Sequence, residues 1–138
     1  MDVIAQNPID GFLAAVATGT IESCDLWAPD VVLDATVPGW RFRTDGVAAL
    51  KEEYTHWFAD SGQFEELRRI PFPDGEVVEY LLTWVEAGVP HAARHVHVLD
   101  VHEGRIVRDT VVCGGRWPAS LLAEMQAAQQ EVDSGARA

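Results

Sequence analysis

Apolar and polar residues follow two different periods along this chain, and the change of period divides it. From Asn7 to Gly19, "NPIDGFLAAVATG" repeats Ile9, Phe12, Leu13 and Val16 at helical spacing, which predicts a first helix with one apolar stripe. Asn7 stands where an N-cap belongs, Pro8 takes the first helical position, and Gly19 stops the element. "TIESCDLW" reads as a second short helix, capped by Thr20 and closed at Ala28-Pro29. "DVVLDATV" follows as a strand, with Pro38-Gly39 turning it into "WRFR". Thr44 then caps "DGVAALKEEYTHWFAD", a third helix carrying Val47, Leu50, Tyr54, Trp57 and Phe58 on or near one face. His56 lies two residues from Tyr54 and is expected at the surface.

Beyond Ser61-Gly62 the period falls to two. "QFEELRRIPF", "EVVEYLLTWVEA", "PHAARHVHVLDVH" and "RIVRDTVVCGG" read as successive strands, separated by Asp74-Gly75, Gly88 and Glu103-Gly104. Pro118 opens a last helix, "PASLLAEMQAAQQEV", and the tail "DSGARA" is expected to fray. Helices, then hairpin-connected strands, then a helix predict an α+β fold with a curved antiparallel sheet. No repeat or linker interrupts it, so residues 1–138 are expected to form a single domain.

Charge narrows the partners. Ten Lys and Arg face 22 Asp and Glu, for a net charge of −12. Such a field repels phosphate backbones and anionic lipid, which argues against nucleic-acid and membrane binding. No apolar run approaches the ~20 residues of a membrane span, and no basic leader precedes the first helix, so a cytoplasmic location is expected. Cys24 and Cys113 have no metal-type spacing and read as reduced thiols.

Four of the five histidines (His91, His95, His97, His102) fall within "PHAARHVHVLDVHEGRIVRD". Strand alternation puts His91, Ala93, His95, His97, Leu99 and Val101 on one face. A three-residue loop, His102-Glu103-Gly104, is the favoured turn because non-glycine residues resist a primed two-residue turn. It pairs His97 with Asp109 and His95 with Val111, so a carboxylate would set the tautomer of His97. A two-residue loop would instead send His97 and Asp109 to opposite faces. Three settings stay open for these histidines: a ligand pocket, hydrogen bonds in a closed core, and a subunit seam. A metal site is disfavoured because no carboxylate or thiolate sits at ligand spacing. Asp34, in the apolar run "VVLDATV", either enters a pocket or sits at the sheet rim on Arg41 or Arg43.

"FLAAVATGTIESCDLWAPDVVLDATVPGWRFRTDGVAAL" resembles the opening of the nuclear transport factor 2-like superfamily, and "VLDVHEGRIVRDTVV" is similar to the hairpin that closes its sheet. The likeness runs from residue 8 to about 117. It implies a cone in which a strongly curved sheet wraps the N-terminal helices around an apolar pocket, often in homodimers formed through the sheet face. The group includes SnoaL-like polyketide cyclases, ketosteroid isomerase, scytalone dehydratase and limonene epoxide hydrolase. By that resemblance Asp34, His97, Asp109 and Tyr54 are the candidate catalytic groups, while His95, Trp40, Trp84 and Trp117 are candidate substrate contacts. Asp109 stands two residues short of the cyclase and epoxide hydrolase aspartate, and Val111 occupies that slot. Phe12 and Leu13 stand where ketosteroid isomerase carries a tyrosine.

A carboxylate in a dry pocket becomes a usable base near neutral pH, and a facing histidine can supply the acid. No phosphate loop, dinucleotide fingerprint or nucleophile motif is present, so no cofactor is expected. The expected activity is a cofactor-independent isomerase or lyase acting on an apolar, carbonyl-bearing molecule of polyketide or steroid type. The alternative is a non-catalytic ligand-binding or dimeric scaffold domain.

Overall fold

The computed structural model describes residues 7–135. The first helix, α1 (Pro8–Thr18), begins as its sequence requires. The Asn7 side chain accepts the Ile9 amide, Pro8 opens the first turn, and Gly19 closes the helix at φ 69°. Its stripe of Ile9, Phe12, Leu13 and Val16 is buried. An ion-paired corner fixes its start: Arg69 bonds both Asp10 on the helix and the buried Glu76 on the sheet.

The expected second helix contracts to one 3-10 turn, Ile21–Ser23, and the Thr20 side chain makes no cap bond. Strand β1 (Trp27–Val37) runs through Ala28-Pro29. The proline is tolerated because the ladder to β6 is broken between Trp27 and Val32. Strand β2 (Trp40–Asp45) extends over Thr44, whose hydroxyl is buried without a partner. Gly46, at φ 97°, therefore starts helix α2 (Val47–Trp57) in place of the predicted Thr44 cap.

Long strands follow: β3 (Gly62–Phe72), β4 (Gly75–Glu86), β5 (Val89–His102) and β6 (Arg105–Cys113). A two-residue β7 (Trp117–Pro118) leads into α3 (Ala119–Asp133). Of the tail expected to fray, Asp133 ends α3 and Ser134 caps it, while residues 136–138 lie outside the described residues. The sheet order is β2-β1-β6-β5-β4-β3, with β7 added to β5. Neighbours are antiparallel except β1 and β6, which run parallel, so the sheet is mixed where the sequence predicted an antiparallel one. Register breaks in the β1–β6, β3–β4 and β5–β6 ladders bend it. The concave face carries Tyr80, Leu82, Ala93, Leu99, Ile106 and Val111 in one core with α1 and α2. Among the described residues no helix is long and apolar enough to cross a membrane.

The β5–β6 turn departs from expectation in an instructive way. Only Glu103 and Gly104 form the loop, at φ 52° and 78°, so His102 pairs with Arg105. That register alone would separate His97 from Asp109. Val107, however, is an extra residue opposite the Asp100–Val101 step, and beyond it Leu99 pairs with Asp109 and His97 with Val111. The bulge restores Asp109 to the concave face, diagonal to His97.

Candidate active site

His91, His95 and His97 share one face of β5, as alternation requires; His95 and His97 are buried there, while His91 is half-buried and stacks on Trp84. His97 is fully buried, with Nδ1 2.9 Å from Asp109 Oδ1. The other Asp109 oxygen accepts a bond from the Tyr54 hydroxyl, delivered by α2. A carboxylate with no exposure is tolerated when donors fill it, and here each oxygen has one. Phe12 closes the roof, its ring edge-on to His97 at 5.1 Å.

The line of contacts continues away from the carboxylate. His97 Nε2 lies 2.9 Å from the Tyr80 hydroxyl, which lies 2.9 Å from His95 Nδ1. His95 Nε2 meets Cys113 Sγ at 3.2 Å, and that sulfur also accepts the Gly115 amide at 3.3 Å. Tyr54, Asp109, His97, Tyr80, His95 and Cys113 thus form one buried chain across α2 and three adjacent strands. The register explains it: Tyr80 and Cys113 stand directly opposite His95 on β4 and β6.

Burial sets the protonation states. The Tyr54 hydroxyl is pushed well above its ordinary pKa by burial first and by the Asp109 charge second, so it remains a donor. Tyr80 is raised for the same two reasons. Burial raises the Cys113 thiol, which stays protonated. His95 is pushed down to about 3 by burial and then by His97, so its ring is neutral.

One end of this chain reaches open space. A cavity of about 250 Å³ is walled by Val37, Pro38, Leu82 and Ala93, with the rings of Trp57 and Trp84. Its polar groups are His95, Cys113 and Arg116. Arg116 lies over the Trp84 ring at 5.2 Å and pairs with Glu86, which also accepts the Trp84 indole N–H. A cation and two aromatic rings therefore border the cavity.

No family model and no curated protein matches the sequence. Solved structures do match. An isomerase candidate of Bacillus subtilis superposes with a TM-score of 0.63 at 20% identity, over 78% of this chain and 84% of that one. A nuclear transport factor 2-like protein of unknown function from Mesorhizobium loti gives 0.64 at 19%, over 80% and 91%. The fold is that of the nuclear transport factor 2-like superfamily. A polyketide cyclase candidate of Xanthomonas campestris pv. campestris gives 0.62 at 19% identity, over 78% and 88%.

Within this nuclear transport factor 2-like frame the expected residues separate into groups. His97, Asp109 and Tyr54 come together, but behind the cavity rather than on its wall. His95 and Trp84 line the cavity. Trp40 is 69% exposed at the tip of β2, and Trp117 packs on the Gly114-Gly115 backbone instead of the cavity. Asp34 points to the opposite sheet face, because its neighbours Leu33 and Ala35 take the inner one. There Arg41 holds it through two bonds of 3.0 and 2.7 Å, with Arg108 at 3.3 Å. The Arg41 bond, ahead of opposing burial, lowers its pKa. His56 is exposed, as expected.

Tyr80, Cys113 and Trp57 were missed as site residues. Tyr80 carried a signal, since it sits at an inward position of β4. Pairing it with His95 required the β4–β5 register.

Asp34→Asn should lower stability at pH 7 and leave the cavity unaltered. A carboxylate with a lowered folded pKa stabilises above its unfolded pKa and loses that contribution as pH falls through the folded one. Urea unfolding of variant and wild type should therefore differ at pH 7, and the difference should shrink as pH falls below the ordinary aspartate range of about 4.

Proposed function

We propose that the cavity performs proton transfer on a small apolar carbonyl compound, as a cofactor-independent isomerase or lyase does, with His95 as the group that meets the substrate. The observation that carries this is an imidazole 4% exposed on an apolar cavity wall, backed by a hydrogen-bonded line to a buried carboxylate. A lone buried histidine would be a weak base. A neutral one with Nε2 toward a dry cavity can take a proton from carbon beside a carbonyl and return it elsewhere. The names of the isomerase and cyclase candidates sharing this fold support the same class. The volume narrows the substrate. At about 250 Å³ the cavity lies below the common ~300–1,000 Å³ range of ligand sites. One or two rings fit better than a four-ring steroid, with the carbonyl oxygen directed toward Arg116 or the Cys113 thiol.

Hydrogen exchange tests the reading. In D2O the bicyclic ketone 2-tetralone should lose its α-protons faster with the protein than in buffer, followed by NMR. Exchange at the buffer rate, or an enzymatic rate unchanged in His95→Ala, would sink it.

The convex sheet face favours a second role for the same domain. Val98 and Val112 are exposed there on the central strands β5 and β6, with Val96 beside them. We take this strip as the contact with a second copy of the chain. Sedimentation velocity should give a dimer mass for the wild type and a monomer mass for Val112→Glu. A wild-type monomer removes the contact.

A further inference from the structure

Cavity and carboxylate do not touch. Between His95, at the cavity, and Asp109, in the core, stand Tyr80 and His97, and every link measures 2.9 Å. The protons in this line can be counted. Tyr54 gives its only hydroxyl hydrogen to one Asp109 oxygen, and His97 Nδ1–H fills the other. In a neutral His97 ring, Nε2 is then an acceptor, so the Tyr80 hydroxyl donates to it. Tyr80 has a single hydrogen and must accept from His95 Nδ1–H. His95 Nε2 is left as a lone pair beside the cavity, with the Cys113 thiol as a weak donor. This one arrangement satisfies every group.

We propose that Tyr80 is a proton relay joining His95 to the His97–Asp109 pair, so that a proton accepted at the cavity is stored deeper, as a His97 imidazolium against the Asp109 carboxylate. The steps balance. A proton binds His95 Nε2, the Nδ1 hydrogen of that ring passes to the Tyr80 oxygen, and the original Tyr80 hydrogen passes to His97 Nε2. His95 and Tyr80 each gain one proton and give one up, and the positive charge rests on His97 alone. Both Tyr80 bonds and the His95–Cys113 bond are then reversed. His95 Nε2–H is now a donor, held by the Cys113 sulfur and available to a substrate that displaces it, so one residue is a base before the transfer and an acid after it.

The surroundings favour storage at His97. Burial opposes charge on His95, whereas His97 lies 2.9 Å from a carboxylate. The groups facing His97 are Tyr54 from α2, Tyr80 from β4, Asp109 from β6 and His95 from its own strand, while α1 offers only the Phe12 ring. Charging His97 without the exchange would leave Tyr80 accepting from both rings, with its own hydrogen unpaired in a fully buried site. Coupling the two imidazoles through Tyr80 avoids that penalty.

The relay gives the proposed acid–base chemistry its proton store and rests on that reading for its purpose, but its test needs no substrate. Protein labelled with 15N-histidine is titrated, and long-range 1H–15N spectra report each ring. At high pH both His95 and His97 should carry hydrogen on Nδ1. When His97 becomes doubly protonated, His95 should switch to the Nε2–H tautomer at the same midpoint and remain neutral. In Tyr80→Phe, His97 should still titrate while His95 keeps one tautomer throughout. A wild-type His95 that never switches, that charges itself, or a His97 that stays neutral to the point of acid unfolding overturns the relay. So does continued switching in Tyr80→Phe. If that variant does not fold, 3-fluorotyrosine in place of both tyrosines decides: the Tyr80 fluorine signal moves at the His97 midpoint, or its constancy removes the relay. Switching without 2-tetralone exchange would end the catalytic reading alone, and exchange without switching would end the relay alone.

Discussion

Asp109→Ala should lower the free energy of unfolding by about 3–5 kcal/mol, the sum of two buried donors left without an acceptor and the gap the side chain leaves. The loss has two sources. His97 Nδ1–H and the Tyr54 hydroxyl would both lose their acceptor inside a core that holds no exposed surface around Asp109. Deleting the side chain also leaves a gap beneath Phe12 and Tyr54. Asp109→Asn keeps the shape and one acceptor oxygen, and should cost about 1–3 kcal/mol, the price of a single mismatched buried group. Its amide cannot balance an imidazolium. Asp109→Asn should therefore depress 2-tetralone exchange even where it remains folded, which separates charge from packing. Urea unfolding at pH 7 checks the stabilities. An Asp109→Ala variant within about 0.5 kcal/mol of wild type, the range of ordinary surface substitutions, would mean that the pair does not form.

His95→Gln should remove proton exchange at the cavity, by a factor of about 10²–10⁴ if it is the base, and should also flatten the acid limb of stability. The native ring is held down at about 3, against an ordinary value of 6.5. Above pH 7 both native and unfolded rings are neutral and contribute nothing. Between about pH 6 and 3 the unfolded chain binds a proton that the native ring refuses. Stability then falls by about 1.4 kcal/mol for each pH unit descended. Glutamine cannot titrate, so the variant should lose this slope while other groups keep theirs. Urea midpoints at pH 7, 5 and 4 measure the difference. Equal slopes in variant and wild type would show that the His95 ring accepts charge where it stands.

Both effects depend on features that differ in how openly the sequence displayed them. The inward set on β5 was legible, because alternation with period two needs no knowledge of neighbours. The cap of α1, the helical face of Tyr54 and Phe58, and the α+β order were legible for the same reason: each is local. Asp34 was not. A carboxylate in an apolar run looks the same whichever face it takes, and only the pairing of β1 with β2 and β6 placed Arg41 and Arg108 beside it. Nor was Trp40: the resemblance made it a substrate contact, while its position at the tip of a hairpin leaves it in water.

The turn after His102 shows the limit most clearly. Local sterics favoured a longer loop, yet Glu103 adopts the left-handed region and Val107 supplies the compensating bulge. The expected partnership of His97 with Asp109 survives by a different route, diagonal instead of directly opposed.

By itself the sequence determined which side chains share a strand face, where α1 starts and stops, and that the chain would fold as helices against a sheet. Those follow from bond geometry and from the burial of periodic apolar stripes. Tertiary structure alone decided that Tyr80, on a different strand from the histidine-rich segment, stands between two histidines, and that His95 reaches the cavity while His97 does not. Strand register carries that information, and register is settled by the simultaneous packing of β4, β5 and β6 with α2, which no single stretch of residues contains.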